Sequence, residues 1–156
     1  MTEALPRQKR GRRIAMTPEE VDEFLAAQRT ARVATTSGDG PHLTPLWFTW
    51  VGGALWLYSI TKSRRWADLR TDPRVAVLVD DGTEFLELHG VQITGEATVI
   101  GEVPRIGEPC PELVEPERSM ARKYFGGDQM PYDERHAWLK VAPQKITSWD
   151  FRKIGN

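Results

Sequence analysis

The chain has 156 residues, of which 40% are hydrophobic and 28% charged, and its formal net charge is -1. These values are typical of one globular domain and exclude the strongly unbalanced charge of many proteins that bind nucleic acids or anionic membranes. The single cysteine, Cys110, excludes an internal disulfide, and no apolar run approaches the roughly 20 residues of a membrane span, so we expect a cytoplasmic protein.

The first 14 residues carry five basic side chains and no apolar period, which predicts a flexible or loosely docked arm. No apolar stretch follows the basic residues as it would in a signal peptide. The cofactor-binding domain itself is expected to span residues 15–156. It opens at Thr17-Pro18-Glu19-Glu20, a capping box with proline in the first turn, and apolar residues at helical spacing then predict a helix to about Gln28.

A period of two follows the helix and predicts strands at 32–36, 41–51 and 54–60, joined by glycine-containing turns. In the last of these, Leu55 and Leu57 should face one way, and Trp56 and Tyr58 the other. A short helix is predicted over 63–71, ended by Asp72-Pro73.

Further strands are predicted at 75–79 and 85–89, the second continuing over 91–100. Gly90 interrupts that strand, which suggests a bulge or a close backbone contact. The segment 102–116 contains four prolines and is predicted as a loop, followed by a helix over 117–125 and two last strands at 137–141 and 146–151. About seven strands at hairpin spacing, with helices at the margins, predict an antiparallel barrel of α+β, mainly β, character.

The segment from Tyr58 to Trp66 joins the end of a strand to the start of a helix. It places two hydroxyl groups and three cations within five residues, namely Thr61, Lys62, Ser63, Arg64 and Arg65. The unpaired N–H groups of a helix start favour an anion, and arginine adds planar contacts to phosphate. Two interpretations are open: a phosphate pocket, or a solvated helix start that Ser63 merely caps.

Aromatic side chains are concentrated just before that segment. Leu46-Trp47-Phe48 and Trp56-Leu57-Tyr58 lie on adjacent predicted strands, where pairing would create an apolar wall beside the cations. A planar heterocycle with a phosphate tail would suit such a wall. The alternative is ordinary barrel core together with a dimer surface.

Other catalytic patterns are absent from the sequence. His42, His89 and His136 lack the spacing of metal ligands and are expected to be ordinary surface or barrel residues. The sequence contains no glycine-rich dinucleotide fingerprint, no P-loop and no nucleophile elbow. It therefore predicts no metal site and identifies no catalytic residue.

In their order along the chain, these segments resemble the pyridoxamine phosphate oxidase-like split β-barrel proteins, and more closely their flavin and deazaflavin oxidoreductases. The most specific part is the basic turn and helix that ends in Asp72-Pro73-Arg74. The other similar segments are 31–42, 45–48, 55–59, 90–95 and 140–151. The C-terminal arginine and histidine that bind pyridoxal phosphate in the namesake have no match here, so oxidation of vitamin B6 is not expected.

The resemblance implies a six- or seven-stranded split barrel that forms a homodimer, with two cofactor sites at the interface. The cofactor would be coenzyme F420 or FMN. The closer resemblance to the deazaflavin oxidoreductases, together with a composition that suggests a GC-rich genome (15 Arg against 6 Lys), tilts the choice towards F420. Its phosphate would be held around Lys62, Ser63, Arg64 and Arg65, with Arg65 at the usual basic position of the family. Its ring would lie against Leu46, Trp47 and Phe48 and the backbone of Tyr58, Ser59, Ile60 and Thr61, and Trp149 of the partner subunit would close the site.

The implied activity is hydride transfer between this cofactor and a small conjugated organic acceptor. No side chain is required as a general acid, although Tyr58, His42 and Tyr124 are conceivable proton donors. The alternative is a protein of the same fold that binds a flavin, a deazaflavin or haem without turnover. A role in binding nucleic acid through the basic arm is not expected, because no recognition helix or stacking platform is evident.

Overall fold

The computed structural model describes residues 4–155, which form one antiparallel sheet curved into a half-barrel, with three α-helices around it. The strands are β1 (Ala31–Ser37), β2 (Gly40–Leu46), β3 (Phe48–Val51), β4 (Ala54–Ile60), β5 (Arg74–Asp81), β6 (His89–Ile100) and β7 (His136–Asp150). The helices are α1 (Pro18–Ala27), α2 (Arg64–Thr71) and α3 (Val114–Tyr124). This architecture confirms the predicted fold class.

The strand order is β2-β1-β5-β6-β7-β4-β3, so the consecutive strands β2 and β3 lie at opposite edges of the sheet. The barrel is therefore split between them. Helix α1 begins where the capping box predicted: the Glu20 N–H donates to Thr17 Oγ1 at 3.2 Å, and the Thr17 N–H donates to Glu20 Oε2 at 2.8 Å.

Two apolar clusters stabilise the two faces of this sheet. The first fills the barrel interior with branched aliphatic residues from the strands, and α1 adds Phe24 and Leu25. The second lies outside the barrel, where Trp56 of β4 and Trp138 of β7 pack with Met120 of α3. Alternation along β4 sends Leu55 and Leu57 inward and Trp56 outward, which confirms the faces predicted for this strand.

The strand predicted over 41–51 is in fact two strands, separated at Trp47. β2 pairs with β1, whereas β3 pairs with β4, because the chain crosses here from one edge of the sheet to the other. The strand predicted over 85–89 is also wrong: Phe85–Glu87 form a single 3-10 turn. Phe85 and Leu86 are exposed, so their apolar character did not indicate a buried strand.

The two last predicted strands are one continuous strand, β7. Pro143 is accommodated at a β-bulge, where the register against β6 shifts between Thr94 and Gly95. Gly90 lies in close backbone contact, as expected, because an added Cβ would come within 2.7 Å of Trp149 and 2.9 Å of the Val79 carbonyl oxygen. The last helix begins at Val114, three residues before the predicted start.

Residues 4–16 run along the part of β7 that β4 does not pair with. The Gln8 side-chain amide donates to the Ser148 carbonyl oxygen at 3.0 Å and accepts from the Ser148 N–H at 2.9 Å. The Asp150 N–H donates to the Ile14 carbonyl oxygen at 2.7 Å. The segment thereby supplies hydrogen-bond partners to a strand edge that would otherwise remain open.

A buried ion-pair network holds the segment between β6 and α3 against the outer cluster. Arg105 is only 3% exposed. It donates from Nη2 to Glu117 Oε1 at 2.8 Å and from Nε to Glu117 Oε2 at 3.1 Å, and its Nη1 donates to Glu102. Glu117 also accepts from Trp138 Nε1 and from the Tyr132 hydroxyl, each at 3.1 Å. The network therefore joins two loops to α3 and β7.

We expect Glu102 to contribute to the loss of stability at acid pH. Burial raises the pKa of this carboxyl, but hydrogen bonds from Arg105 and the Glu108 N–H outweigh burial and lower it to about 2. Stability from this group is therefore present above its ordinary pKa of 4.5 and is lost as pH falls towards 2. Urea unfolding across this window should show a shallower loss of stability for Glu102→Gln than for the wild type. Parallel pH profiles would contradict the assignment.

None of the α-helices in residues 4–155 is long and apolar enough to span a membrane.

Candidate anion site

Helix α2 starts directly after β4 with its first turn free of acidic residues. Ser63 caps the helix, since its Oγ accepts from the Trp66 N–H at 3.2 Å. The preceding turn is held to β7, because the Thr61 N–H donates to the Arg135 carbonyl oxygen at 2.9 Å. The helix start is thus fixed in place, with its positive end beside the predicted cations.

Arg65 is the central residue of this site. It is 91% buried, and it donates from Nε to Ser59 Oγ at 3.1 Å and from Nη1 to Thr44 Oγ1 at 2.7 Å. These contacts join β4 to β2 across the split in the barrel. Within residues 4–155 no carboxylate pairs with Arg65, and its Nη2 makes no hydrogen bond although it retains contact with solvent.

A buried guanidinium without a counter-ion is costly, and burial accordingly lowers the pKa of Arg65. The free Nη2 group can donate to an anion at the surface, and an anion would also neutralise the buried charge. The residues present therefore fit a phosphate group, the part of the cofactor that the family resemblance implies at this place.

The other two cations differ from Arg65. Lys62 is exposed. Arg64 is also exposed, and its Nη2 lies 2.5 Å from Asp39 Oδ2 while its Nε lies 3.5 Å from Asp68 Oδ1. Because Arg64 already has two carboxylate partners, it is less available to an incoming anion than Arg65.

The predicted aromatic wall does not form one surface. Phe48 pairs opposite Leu57, and both side chains are fully buried in the barrel interior, against which Leu46 packs. Trp56 lies on the outer face, and Trp47 is 49% exposed where it stacks on Tyr124 with ring centroids 4.3 Å apart. The prediction of one flat wall is wrong, because strand alternation and the break at Trp47 distribute these side chains over different faces.

The remaining predicted ring contacts lie along the end of β4. Ser59 is fully buried on Arg65, and Ile60 and Thr61 are half-buried. Trp149 is half-buried across the sheet from Gly90. Its role in closing the site of a partner subunit stays a prediction.

Tyr58 carries the one buried side-chain polar atom in residues 4–155 that has no hydrogen-bond partner, its hydroxyl oxygen. Its ring stacks on His136 with centroids 4.8 Å apart, and burial, followed by the nearby Asp133 and Glu117 carboxylates, raises the pKa of Tyr58 strongly. The hydroxyl is therefore protonated at neutral pH.

Removing this hydroxyl should not destabilise the protein. We expect Tyr58→Phe to leave stability unchanged or raise it by about 1 kcal/mol, because no protein hydrogen bond is lost and a buried polar group is removed. Chemical denaturation of the two proteins measures the difference. A loss of more than about 1 kcal/mol would show that the hydroxyl has a partner.

The structure also reveals a pair that the sequence analysis missed. His42 Nδ1 lies 2.6 Å from Asp68 Oδ2, and Asp68 is only 3% exposed. The same carboxylate oxygen accepts from Thr35 Oγ1 at 2.8 Å. Asp68 stands three residues after Arg65 on α2, and His42 stands two residues before Thr44 on β2. This spacing, which places each residue on the same face as its neighbour in the anion site, was the available signal. The contact of β2 with α2 that brings the two together has no signature in the sequence.

Two further observations concern metal binding and the cavities of the protein. Among the described residues, no three side chains of His, Cys, Asp or Glu come together in a way that could hold a metal ion. A cavity of about 720 Å³ lies between residues 4–16, α1, Trp50 and Ile146. None of the predicted cofactor-binding residues lines this cavity.

Comparison with solved structures supports the fold over nearly the whole chain. Rv2991 of Mycobacterium tuberculosis, described as a conserved hypothetical protein, is 30% identical with a TM-score of 0.79, covering 96% of this chain and 94% of that one. A FAD-binding protein of Mesorhizobium loti is 19% identical with a TM-score of 0.64, covering 86% and 93%. A protein described as an F420 reductase is 20% identical with a TM-score of 0.62, covering 83% and 98%.

The sequence matches a family model, although no curated protein sequence matches it. The family model for pyridoxamine 5'-phosphate oxidase matches residues 17–150, which include every strand and helix described above. The chain therefore belongs to the pyridoxamine 5'-phosphate oxidase family.

Proposed function

We propose that this protein is an oxidoreductase that binds coenzyme F420 or FMN and transfers a hydride between that cofactor and a small conjugated organic acceptor. The observation that carries the proposal is Arg65, a buried guanidinium that has no carboxylate partner within residues 4–155 and whose Nη2 reaches solvent. A phosphate group would supply the missing negative charge.

In this proposal Arg65 holds the phosphate, and Ser63 and the N–H groups of the first turn of α2 add neutral donors. Thr44 and Ser59 hold the guanidinium in position through their hydroxyl groups. Lys62 contributes long-range attraction from the surface. When bound, the reduced cofactor supplies the hydride, so the protein contributes orientation and electrostatics rather than a nucleophile.

The choice of F420 over FMN rests on the arginine-rich composition and on the acidic tail of F420, which has no counterpart in FMN. The solved structures of similar fold include both an F420 reductase and a FAD-binding protein, which supports the class of cofactor. Residues 4–14 contain Arg7, Arg10, Arg12 and Arg13, a source of positive charge for an acidic tail. The same proposal places the protein in the cytoplasm.

A fluorescence titration with FMN and F420, side by side, tests the proposal. The six tryptophans include Trp66, which directly follows Arg65, so binding at the anion site should quench emission. Riboflavin, which has the ring of FMN without its phosphate, is the matched ligand control and should bind much more weakly. If neither FMN nor F420 binds, the proposed function is wrong.

Turnover separates an enzyme from a binding protein of the same fold. Mixing the protein with the reduced form of whichever cofactor binds, and with a panel of conjugated acceptors, should give oxidation of the cofactor that depends on the protein. Tight binding without turnover on any acceptor would favour the alternative, a protein that stores or carries a flavin, deazaflavin or haem.

We also infer a homodimer, with the cofactor sites at its interface. Leu43 lies on β2 and Trp47 directly follows the strand, and their side chains are 67% and 49% exposed. Because they are four residues apart, alternation along the strand places them on the same side. Phe125, 43% exposed, packs edge-on against Trp47 and extends this apolar surface. Such a patch at a sheet edge is typical of a protein interface. Sedimentation of the wild type and of Leu43→Ser would show whether a dimer forms through it.

A further inference from the structure

The pair of His42 and Asp68 lies beside the anion site and has no role in the function proposed above. Asp68 is buried, and it accepts hydrogen bonds from His42 at 2.6 Å and from Thr35 at 2.8 Å. Hydrogen bonding from His42, above all, lowers the pKa of Asp68. Asp68 is therefore ionised at neutral pH and holds the imidazole through Nδ1.

His42 shares a face of the sheet with the residues that position Arg65. His42 and Thr44 are alternate residues of β2, so their side chains point to the same side, and Thr44 accepts from Arg65. On α2, Asp68 follows Arg64 and Arg65 by one helical turn. The two hydrogen-bonded pairs, His42 with Asp68 and Thr44 with Arg65, are thus successive contacts between β2 and α2.

The charged groups around His42 come from two other elements. Helix α2 contributes Asp68 and Arg64, and Arg64 Nε lies 3.5 Å from Asp68 Oδ1. The turn between β1 and β2 contributes Asp39, which is paired with Arg64. The residue opposite His42 on β1 is Thr35, which is neutral. Among residues 4–155 the imidazole therefore has one buried carboxylate partner, while 30% of its side chain remains exposed.

We propose that His42 is a second, proton-dependent binding residue of the anion site, oriented by Asp68, and that its imidazolium donates from Nε2 to the anionic group held by Arg65. This inference rests on the proposed function. In the neutral form the remaining proton stays on Nδ1 towards Asp68, so Nε2 presents a lone pair to the anion. Affinity for the anion therefore falls as pH rises and the imidazolium loses its proton.

The test compares FMN dissociation constants of the wild type and His42→Gln between about pH 5.5 and about pH 9, a range that brackets the ordinary imidazole pKa. The FMN phosphate also titrates near pH 6, but this effect is common to both proteins and cancels in the ratio of the two constants. We expect the variant to bind about tenfold more weakly at the acid end, with the ratio falling towards one at the alkaline end.

His89→Gln is the control, because His89 is a half-buried histidine of β6 whose Nδ1 contacts the Glu87 carbonyl oxygen and whose ring packs edge-on against Phe24 of α1. Its ratio to the wild type should stay near one at every pH. Asp68→Asn keeps a polar group against His42 but removes the charge that stabilises the imidazolium. In that variant the fall in affinity should move to lower pH, a change that loss of a merely structural contact would not produce.

NMR of the His42 imidazole in the wild type gives an answer even if His42→Gln fails to fold. At a fixed pH near neutrality, saturating FMN should move the imidazole ¹⁵N resonances of His42 towards those of the doubly protonated ring. Unchanged resonances, or a ratio independent of pH, overturn the role of His42 while the proposed function stands. Absence of any FMN or F420 binding by the wild type overturns both.

Discussion

Replacing Glu117 with glutamine is expected to destabilise the protein by about 3 kcal/mol, the largest loss of stability that we predict for a single substitution. Removing one partner of a buried ion pair typically costs about 3–5 kcal/mol, because the other charge stays buried without full compensation. Here Arg105 would keep its hydrogen bond to Glu102, which places the effect near the lower end of that range.

The loss should extend beyond Arg105 itself. Glu117 also accepts hydrogen bonds from Trp138 and Tyr132, so the substitution weakens contacts of α3 with β7 and with the loop before it. We therefore expect hydrogen exchange to quicken first in the segments around residues 102–113 and 130–135. The free energy of unfolding in urea, followed by tryptophan fluorescence, measures the overall effect.

Glu115→Gln is the control on the same helix. Glu115 pairs with Arg118 at the surface, where both side chains are substantially exposed. Surface pairs of this kind contribute roughly 0–1 kcal/mol, so the control should retain nearly the full stability of the wild type. Equal losses for the two variants would show that the buried network contributes no more to the free energy of unfolding than a surface ion pair does.

Arg65→Met is expected to weaken cofactor binding about 30-fold, with little change in stability. A charge-assisted contact to phosphate contributes on the order of 2 kcal/mol, which corresponds to about this ratio of dissociation constants. The stability of the unliganded protein has two opposing contributions. The variant loses hydrogen bonds to Ser59 and Thr44, but it also removes a buried cation that has no carboxylate partner in the described structure.

Titration of the variant with FMN and F420, alongside urea unfolding, separates binding from folding. Arg70→Met, which removes an exposed cation from the same helix, should leave both properties unchanged. Arg64→Met should weaken binding less than Arg65→Met, because Arg64 is already paired with Asp39 and Asp68. If Arg65→Met binds the cofactor as well as the wild type, the anion site is not at Arg65.

Local sequence patterns predicted most of the elements because these patterns act over a few neighbouring residues. The capping box at Thr17, the two-residue period of β4 and the Asp72-Pro73 stop after α2 each depend on contacts within one element. The failures also have a common cause. The break at Trp47 and the continuity of β7 through Pro143 depend on which strand lies alongside, and pairing between distant strands has no local signal.

The same distinction applies to the candidate site. The sequence by itself determined the family and the fold class, because both follow from the order of short segments along the chain. It also determined the cluster of cations at the start of α2, because these residues are consecutive. The resemblance already placed Arg65 at the usual basic position of the family. The tertiary structure supplied the physical reason, because Arg65 is buried with no carboxylate partner among residues 4–155, whereas Arg64 is paired at the surface. Only the tertiary structure brought His42 to Asp68, 26 residues away in the chain, because burial and charge pairing depend on how the sheet packs against α2.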